Sequence, residues 1–304
     1  GMKAQRRLAF GVALTLSAGG SLLFSSSAQA AEHVKEIPST DTEHTAGIDG
    51  TRETGFSSDN RITVGEVGAS GPTVNGDVVG GSAAGDVSNN TLTINSLTLG
   101  NGYTVSGGKS TGGAAMGNTV NLMGGVLGGD VYGGIGRSAH KNTVTIKDGA
   151  GAITNIYGGY ANAADGSATG NTVNVAGGTF TGGYIMGGQN SKADRTGTVS
   201  GNTVTVTGGT MSTGNVSIMG SAAGNADTAA AGNTVNLGAA DGTFSSTANL
   251  TKAYLYGSYY YHNSAPNITN DSDLIKGNTL NVNAQGISVY GIRNFEKYNF
   301  NLTD

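Results

Sequence analysis

One pentapeptide, Asn-Thr-[Val/Leu]-[Thr/Asn]-[Ile/Val/Leu], recurs seven times, starting at Asn90, Asn118, Asn142, Asn171, Asn202, Asn233 and Asn278. A looser copy, Asn60-Arg61-Ile62-Thr63-Val64, comes before them, and the successive spacings are 30, 28, 24, 29, 31, 31 and 45 residues. A second element alternates with the first: an apolar residue, a bulky residue, then glycine and a small residue. Its clearest copies are Val131-Tyr132-Gly133-Gly134, Ile156-Tyr157-Gly158-Gly159 and Ile185-Met186-Gly187-Gly188. Ile218-Met219-Gly220-Ser221 and Leu255-Tyr256-Gly257-Ser258 continue the series. Two ordered elements alternating at this period mark stacked repeats.

Each pentapeptide has the period-2 pattern of a strand, with Asn118, Val120 and Leu122 on one face and Thr119 and Asn121 on the other. Its branched residues favour extended backbone. Gly-Gly or Asp-Gly follows, as at Gly124-Gly125, Asp148-Gly149, Gly177-Gly178 and Gly208-Gly209, and glycine permits the positive φ of a tight corner. The apolar-bulky-Gly-Gly element is expected to be a second short strand with its own corner, and the variable stretch before the next Asn a loop.

Such a unit is too small to bury a core alone. Stacking solves this by pairing each coil's strands in parallel with the coils above and below, about 4.8 Å apart. The predicted fold is therefore all-β, a parallel β-helix (β-solenoid) of about eight coils. Val120, Val144, Val173, Val204 and Val235 are expected to stack in its interior, and Asn118, Asn142, Asn171, Asn202 and Asn233 to form an amide ladder. Propeller blades need about 40 to 50 residues and four strands each, more than these units hold.

Composition removes the main competitor, disorder. Glycine is abundant, at 54 of 304 residues, but only 12% of residues are charged and the formal net charge is -4. A disordered chain carries more charge and fewer branched residues. No basic stripe exists for nucleic acid.

Residues 1–30 read as a secretory signal peptide. Lys3, Arg6 and Arg7 form a positive n-region, Leu8 to Phe24 is largely apolar, and Ala28-Gln29-Ala30 supplies the small-x-small cleavage site. Three glycines interrupt the apolar run, which argues against a membrane anchor. The absence of cysteine is compatible with export. Residues 31–59 carry seven of the twenty acidic residues and read as a flexible charged extension merging into a cap; the solenoid is assigned to 60–304. The long last spacing implies a loop insertion at about 238–276, with five of the twelve tyrosines. Of these, Tyr259, Tyr260 and Tyr261 are the candidate ligand contacts, since exposed aromatic rings give large rigid contact area. Folding back over the solenoid flank is the competing structural role.

No catalytic, cofactor-binding or metal-ligating constellation stands out. The four histidines, at 33, 44, 140 and 262, lack metal-ligand spacing, and no Gly-x-Ser-x-Gly elbow occurs. The Gly-rich run from Gly128 to Gly134 lacks the nine-residue period of a calcium β-roll. A carbohydrate-active β-helix would need charged residues clustered on one sheet, where the repeats here offer Thr, Asn and Val.

The exported, cysteine-free repeat of Gly-Asn-Thr-Val-x-[Val/Leu] and [Ile/Val]-Tyr-Gly-Gly resembles the passenger regions of Gram-negative autotransporter adhesins of type V secretion. Asn294-Phe295-Glu296-Lys297-Tyr298-Asn299-Phe300 is similar to the Asn-Phe-x-x-Tyr-x-Phe stretches of large passengers. The resemblance spans residues 60 to 304 and implies a right-handed β-helix displayed on the outer membrane and acting in adhesion or biofilm formation. The implied partners are a host-surface protein or glycan, or further copies of the chain, with a translocating outer-membrane β-barrel for export. No barrel pattern follows the repeats, so the passenger is expected to be a fragment or to use a separate barrel. The alternatives are a carbohydrate-active β-helix enzyme and a structural surface spacer.

Overall fold

The computed structural model describes residues 32–151, 153–190, 192, 197–224, 230–260 and 275–302. The signal segment and Tyr261 lie outside the described residues. His33–Asp304 forms one unit, and it is an all-β parallel β-solenoid with three sheets of 12, 10 and 5 strands.

The pentapeptides build the first sheet. Strands Asn60–Val64, Thr91–Ile94, Thr119–Leu127, Thr143–Gly151, Thr172–Val175, Thr203–Val206, Thr234–Leu237 and Thr279–Val282 pair in parallel, each with the next. The valines stack as the repeat predicts: Val120 opposite Val144, then Val173, Val204 and Val235. All five are fully buried. Each contributes about 1.5–3 kcal/mol relative to exposure. The Asn rungs at 60, 90, 118, 142, 171, 202, 233 and 278 are buried as well, and these eight rungs bound seven turns.

The second element forms the second sheet, but its glycines are not corners. Gly133 and Gly134 lie within Val131–Gly136, and Gly158 and Gly159 within Ile156–Ala161. None of the four has a positive φ. Space explains them. A Cβ on Gly133 would sit 2.3 Å from the carbonyl oxygen of Gly158 on the next coil. A Cβ on Gly134 would meet the Asn142 amide at 2.5 Å, and one on Gly159 the Asn171 amide at 2.4 Å. Glycine in a strand marks such close approaches. Corners with positive φ occur after three of the pentapeptides as expected, where Gly125, Gly178 and Gly209 have φ of 106°, 90° and 97°. They do not occur at Asp148-Gly149, where Gly149 has no positive φ and continues the strand Thr143–Gly151 opposite Gly124.

Two further expectations need correction. The stretch before each Asn, assigned to loop, contributes a third sheet of very short strands: Val87–Ser88, Ala114–Met116, Ser138–His140, Ala168–Thr169 and Val199–Ser200. Ala and Ser carry little β-preference of their own; pairing with the coils on either side holds these pieces extended. The segment assigned to a flexible extension is ordered from His33: His33–Ile37 pairs residue for residue with Asn60–Val64. A short helix, Gly50–Thr54, follows, capped by the Asp49 side chain accepting from the Thr51 N–H and by Gly55 in the left-handed region.

Part of the predicted insertion is also regular. Ala253–Tyr260 is a strand of the second sheet, paired with Val216–Ala223. No helix among the described residues is long and apolar enough to cross a membrane.

Candidate binding surface

Strand alternation gives the second sheet two distinct faces. Val131, Ile156, Ile185, Ile218 and Leu255 point into the main core. Their neighbours Tyr132, Tyr157, Met186, Met219 and Tyr256 form a separate cluster on the opposite face, where all but the half-buried Tyr132 are buried. These five stack in one column by register. Ser106 precedes Tyr132 in it and Arg293 follows Tyr256. A second column runs Ile135, Tyr160, Gln189, Ala222 and Tyr259.

The rings pack against one another. Tyr132 and Tyr157 stack at 4.9 Å between centroids, 8° from parallel, and Tyr160 meets both edge-on at 5.5 and 5.4 Å. Tyr256 and Tyr259 are edge-on at 5.6 Å. Offset and edge-on pairs suit the ring quadrupole. Burial pushes the phenol pKa of Tyr132 and Tyr157 well up, with the Asp130 carboxylate acting in the same direction, and that of Tyr259 up to about 12. These hydroxyls are neutral hydrogen-bonding groups across the whole physiological range.

A polar margin flanks the band. The Tyr132 hydroxyl donates to Asp130 at 3.2 Å, and Asn155 Nδ2 donates to the same carboxylate at 2.8 Å. Lys109 Nζ pairs with Asp77 at 3.0 Å. Burial alone would raise the Asp77 pKa; the Thr104 N–H and the Lys109 ammonium outweigh it and hold the value down. Three buried side-chain polar atoms among the described residues have no hydrogen-bond partner: Ser106 Oγ, Gln189 Oε1 and Asn294 Oδ1. Two of the three lie in the outer columns of this sheet.

Tyr259 and Tyr260, expected beside a loop as ligand contacts, close the strand Ala253–Tyr260 and are 8% and 5% exposed. Tyr259 packs in the outer band, and Tyr260 joins Ala161, Ala168, Val199 and Ala223 in a small separate core. The tyrosines that do reach the surface on this side include the half-buried Tyr132, Tyr160 and Tyr254 and the exposed Tyr184 and Tyr290. The recurrent Tyr or Met before Gly-Gly was the sequence signal for the band. Ser106 stands in a weaker copy of the same element, Val105-Ser106-Gly107-Gly108; Gln189 carried no such signal, because its column appears only once the coils are in register.

The Asn ladder is structural. Asn142 donates from both its backbone N–H and its Nδ2 to Asn171 Oδ1, each at 3.0 Å, and Asn171 does the same toward Asn202. Each Nδ2 also donates to a third-sheet carbonyl, Asn142 to Ala115 and Asn171 to Ala139, both at 3.0 Å. The ladder thus ties the first sheet to the third and leaves no amide for a ligand.

The remaining charged cluster sits at the N-terminal end. His44 has Asp41 against Nδ1 and Glu53 Oε1 3.0 Å from Nε2, while Lys35 lies 3.4 Å from the other Glu53 oxygen. No group of three or more His, Asp or Glu side chains suited to a metal ion forms among the described residues.

Fold and surface together define a repeat protein of the parallel β-solenoid class. Compared with known protein families, with curated proteins and with solved structures, the chain finds no match.

Proposed function

We propose that this chain is an exported, non-catalytic solenoid displayed at the cell surface, autotransporter-like, and that it acts in adhesion or biofilm formation through its outer sheet faces. The observation that carries this reading is the regular stack of coils, whose outer first-sheet positions from Thr91 to Asn281 are Thr and Asn, where an enzyme of this fold would gather charged groups. The outer face of the first sheet supports it: Asn121 donates to Thr93, Asn236 to Thr205 and Asn281 to Asn236, so these side chains satisfy one another. Export through a translocating outer-membrane β-barrel, on the same chain or a separate one, belongs to the same proposal.

Three measurements test it. Protease shaving of intact cells should remove the chain from the surface. Purified protein should bind host-matrix proteins, glycans or itself, and cells lacking it should attach less. Absence of all binding, unchanged attachment on deletion, and release of reducing ends from a polysaccharide would together replace adhesion by catalysis.

A further inference from the structure

We propose that an exposed corner of the second sheet, bounded by Tyr184, Lys252, Tyr290 and Arg293, binds the carboxylate-bearing sugars of an acidic glycan; this rests on the adhesion reading above and gives it a site. The buried columns of that sheet take no part. Beside them, one residue before each core position, a further column runs Tyr184, Ser217, Tyr254 and Gly291 by register. These four are exposed or half-buried. Tyr290 stands at the end of the column, 59% exposed, with its ring 4.6 Å from that of Tyr254, and Tyr184 is 38% exposed at the other end. From Tyr184 to Gly291 is three inter-coil steps, about 14 Å, which suits a short run of sugar units rather than a single ion.

Charge selects the ligand class. Arg293 follows Tyr256 in register, on the face away from the core, and is exposed. Burial raises the Tyr256 phenol pKa, and the Arg293 charge beside it works the other way. Lys252 is also exposed, with Nζ 5.7 Å over the Tyr290 ring. Among the described residues neither cation forms an ion pair. Glu296, close to Arg293 in sequence, is turned to the Gly277 N–H. Asp130 lies beside Tyr132, four inter-coil steps from Tyr256 or about 19 Å along the axis. The chain as a whole is negative, with a formal net charge of -4, so an anion is drawn to this corner and not to the molecule at large. Arginine holds a carboxylate through two parallel N–H donors. The exposed tyrosines offer an apolar ring and a hydroxyl together, matching the ring and hydroxyls of a sugar; an acidic peptide would use the cations alone.

The test is titration of the whole chain with a galacturonate oligosaccharide, its neutral methyl ester and a polyglutamate peptide, on wild type and four variants of matched melting temperature. Galacturonate should bind about tenfold tighter than the ester, the difference made by one charged hydrogen-bonding pair. Arg293→Gln and Lys252→Gln should each weaken galacturonate by about tenfold and leave the ester unchanged. Tyr290→Ala should weaken both sugars and leave polyglutamate unaffected. Lys147→Gln, at an exposed cation of the first sheet, should change nothing. No binding of galacturonate, equal binding of acid and ester, or a loss in Lys147→Gln that matches the loss in Arg293→Gln would overturn the site. Polyglutamate bound as tightly as galacturonate, with Tyr290→Ala without effect on either, would overturn the glycan assignment. In each of these cases the adhesion reading stands if deletion of the chain still reduces cell attachment, and it falls with the site if attachment is unchanged.

Discussion

At the residue scale, the position before each Asn rung sets the tightest local demand. Asp59, Asn89, Gly117, Lys141, Gly170, Gly201, Gly232 and Gly277 all have φ between 54° and 69°. Five of the eight are glycine. Asp and Asn tolerate the left-handed region better than other side chains. Lys141, at φ 54°, is the exception. Lys141→Gly should therefore stabilise the protein by about 1 kcal/mol, the left-handed penalty less the added freedom of the unfolded chain; equilibrium urea denaturation measures it. The next residue carries far more. Asn171→Ala leaves the Asn142 N–H and Nδ2 without their 3.0 Å acceptor and the Ala139 carbonyl without its donor, all in the interior. The expected loss is about 3–5 kcal/mol, whereas Thr172→Ala, on the outer side of the same strand, should change stability by less than about 0.5 kcal/mol. The Asn and Val ladders were legible because both repeat in register with the strand period. The reason for Gly-Gly in the second element was not, because glycine needed for a positive φ and glycine needed for space read identically. Ser221 and Ser258 held the clue. They replace the second glycine in two copies, which a left-handed corner would resist, and Ser221 Oγ accepts from Asn233 Nδ2 at 3.0 Å.

At the scale of the element, the N-terminal coil differs from all the others. Lys35 lies opposite Ile62, in the column that elsewhere holds core residues. An inward-pointing charge at a sheet edge blocks a further strand from adding. Glu53 on the helix pairs with it, and Glu53 also contacts His44, which contacts Asp41 in turn. The sequence concealed this coil because five consecutive residues, His33-Val34-Lys35-Glu36-Ile37, lack the Asn-Thr start and break the apolar alternation. The cluster makes the cap sensitive to pH. Burial opposes the charged form of His44, but the bonds to Asp41 and Glu53 outweigh it and raise its pKa above the ordinary 6.5. Asp41 and Glu53 are likewise opposed by burial, yet held below their ordinary 3.8 and 4.5 by hydrogen bonds and by His44 and Lys35. The histidine contribution is complete below pH 6.5 and is lost as pH rises through the raised value. The carboxylate contributions are complete above pH 4.5 and are lost as pH falls through the lowered values. Cap stability should peak between about pH 4.5 and 6.5. Hydrogen-exchange protection of the His33–Ile37 amides, corrected for intrinsic rates, should fall on going from pH 6 to 8, and His44→Asn should abolish that fall.

At the scale of the whole molecule, the two ends of the solenoid are unequal. The first end is closed by Lys35 and the helix. At the other, the core columns of the first sheet finish in Tyr298 and Phe300, opposite Leu280 and Val282, and that of the second sheet in Ile292, opposite Leu255. Tyr298 is 48% exposed and Phe300 69%, against none for Val204 in mid-solenoid. Between them lies an open groove of about 400 Å³ lined by Leu237, Val282, Ile287, Val289 and Leu302 among others. Stacked repeats gain stability mainly from nearest-neighbour interfaces. Among the described residues the strand Lys297–Phe300 pairs on one side alone, with Thr279–Val282, so in this polypeptide it is held by fewer contacts than a strand paired on both sides. Opening should therefore start here and move inward. The strand Lys297–Phe300 should exchange its amides at least tenfold faster than Thr203–Val206, with Thr279–Val282 between them. Phe300→Lys should sharpen the test. Its ring covers little core, so the substitution should change global stability by less than about 1 kcal/mol, while the equivalent change at Val206, fully buried, should abolish the cooperative transition. Equal exchange at both strands, or unfolding in a single step that Phe300→Lys shifts as strongly as Val206→Lys, would mean that coils do not gain their stability from their immediate neighbours.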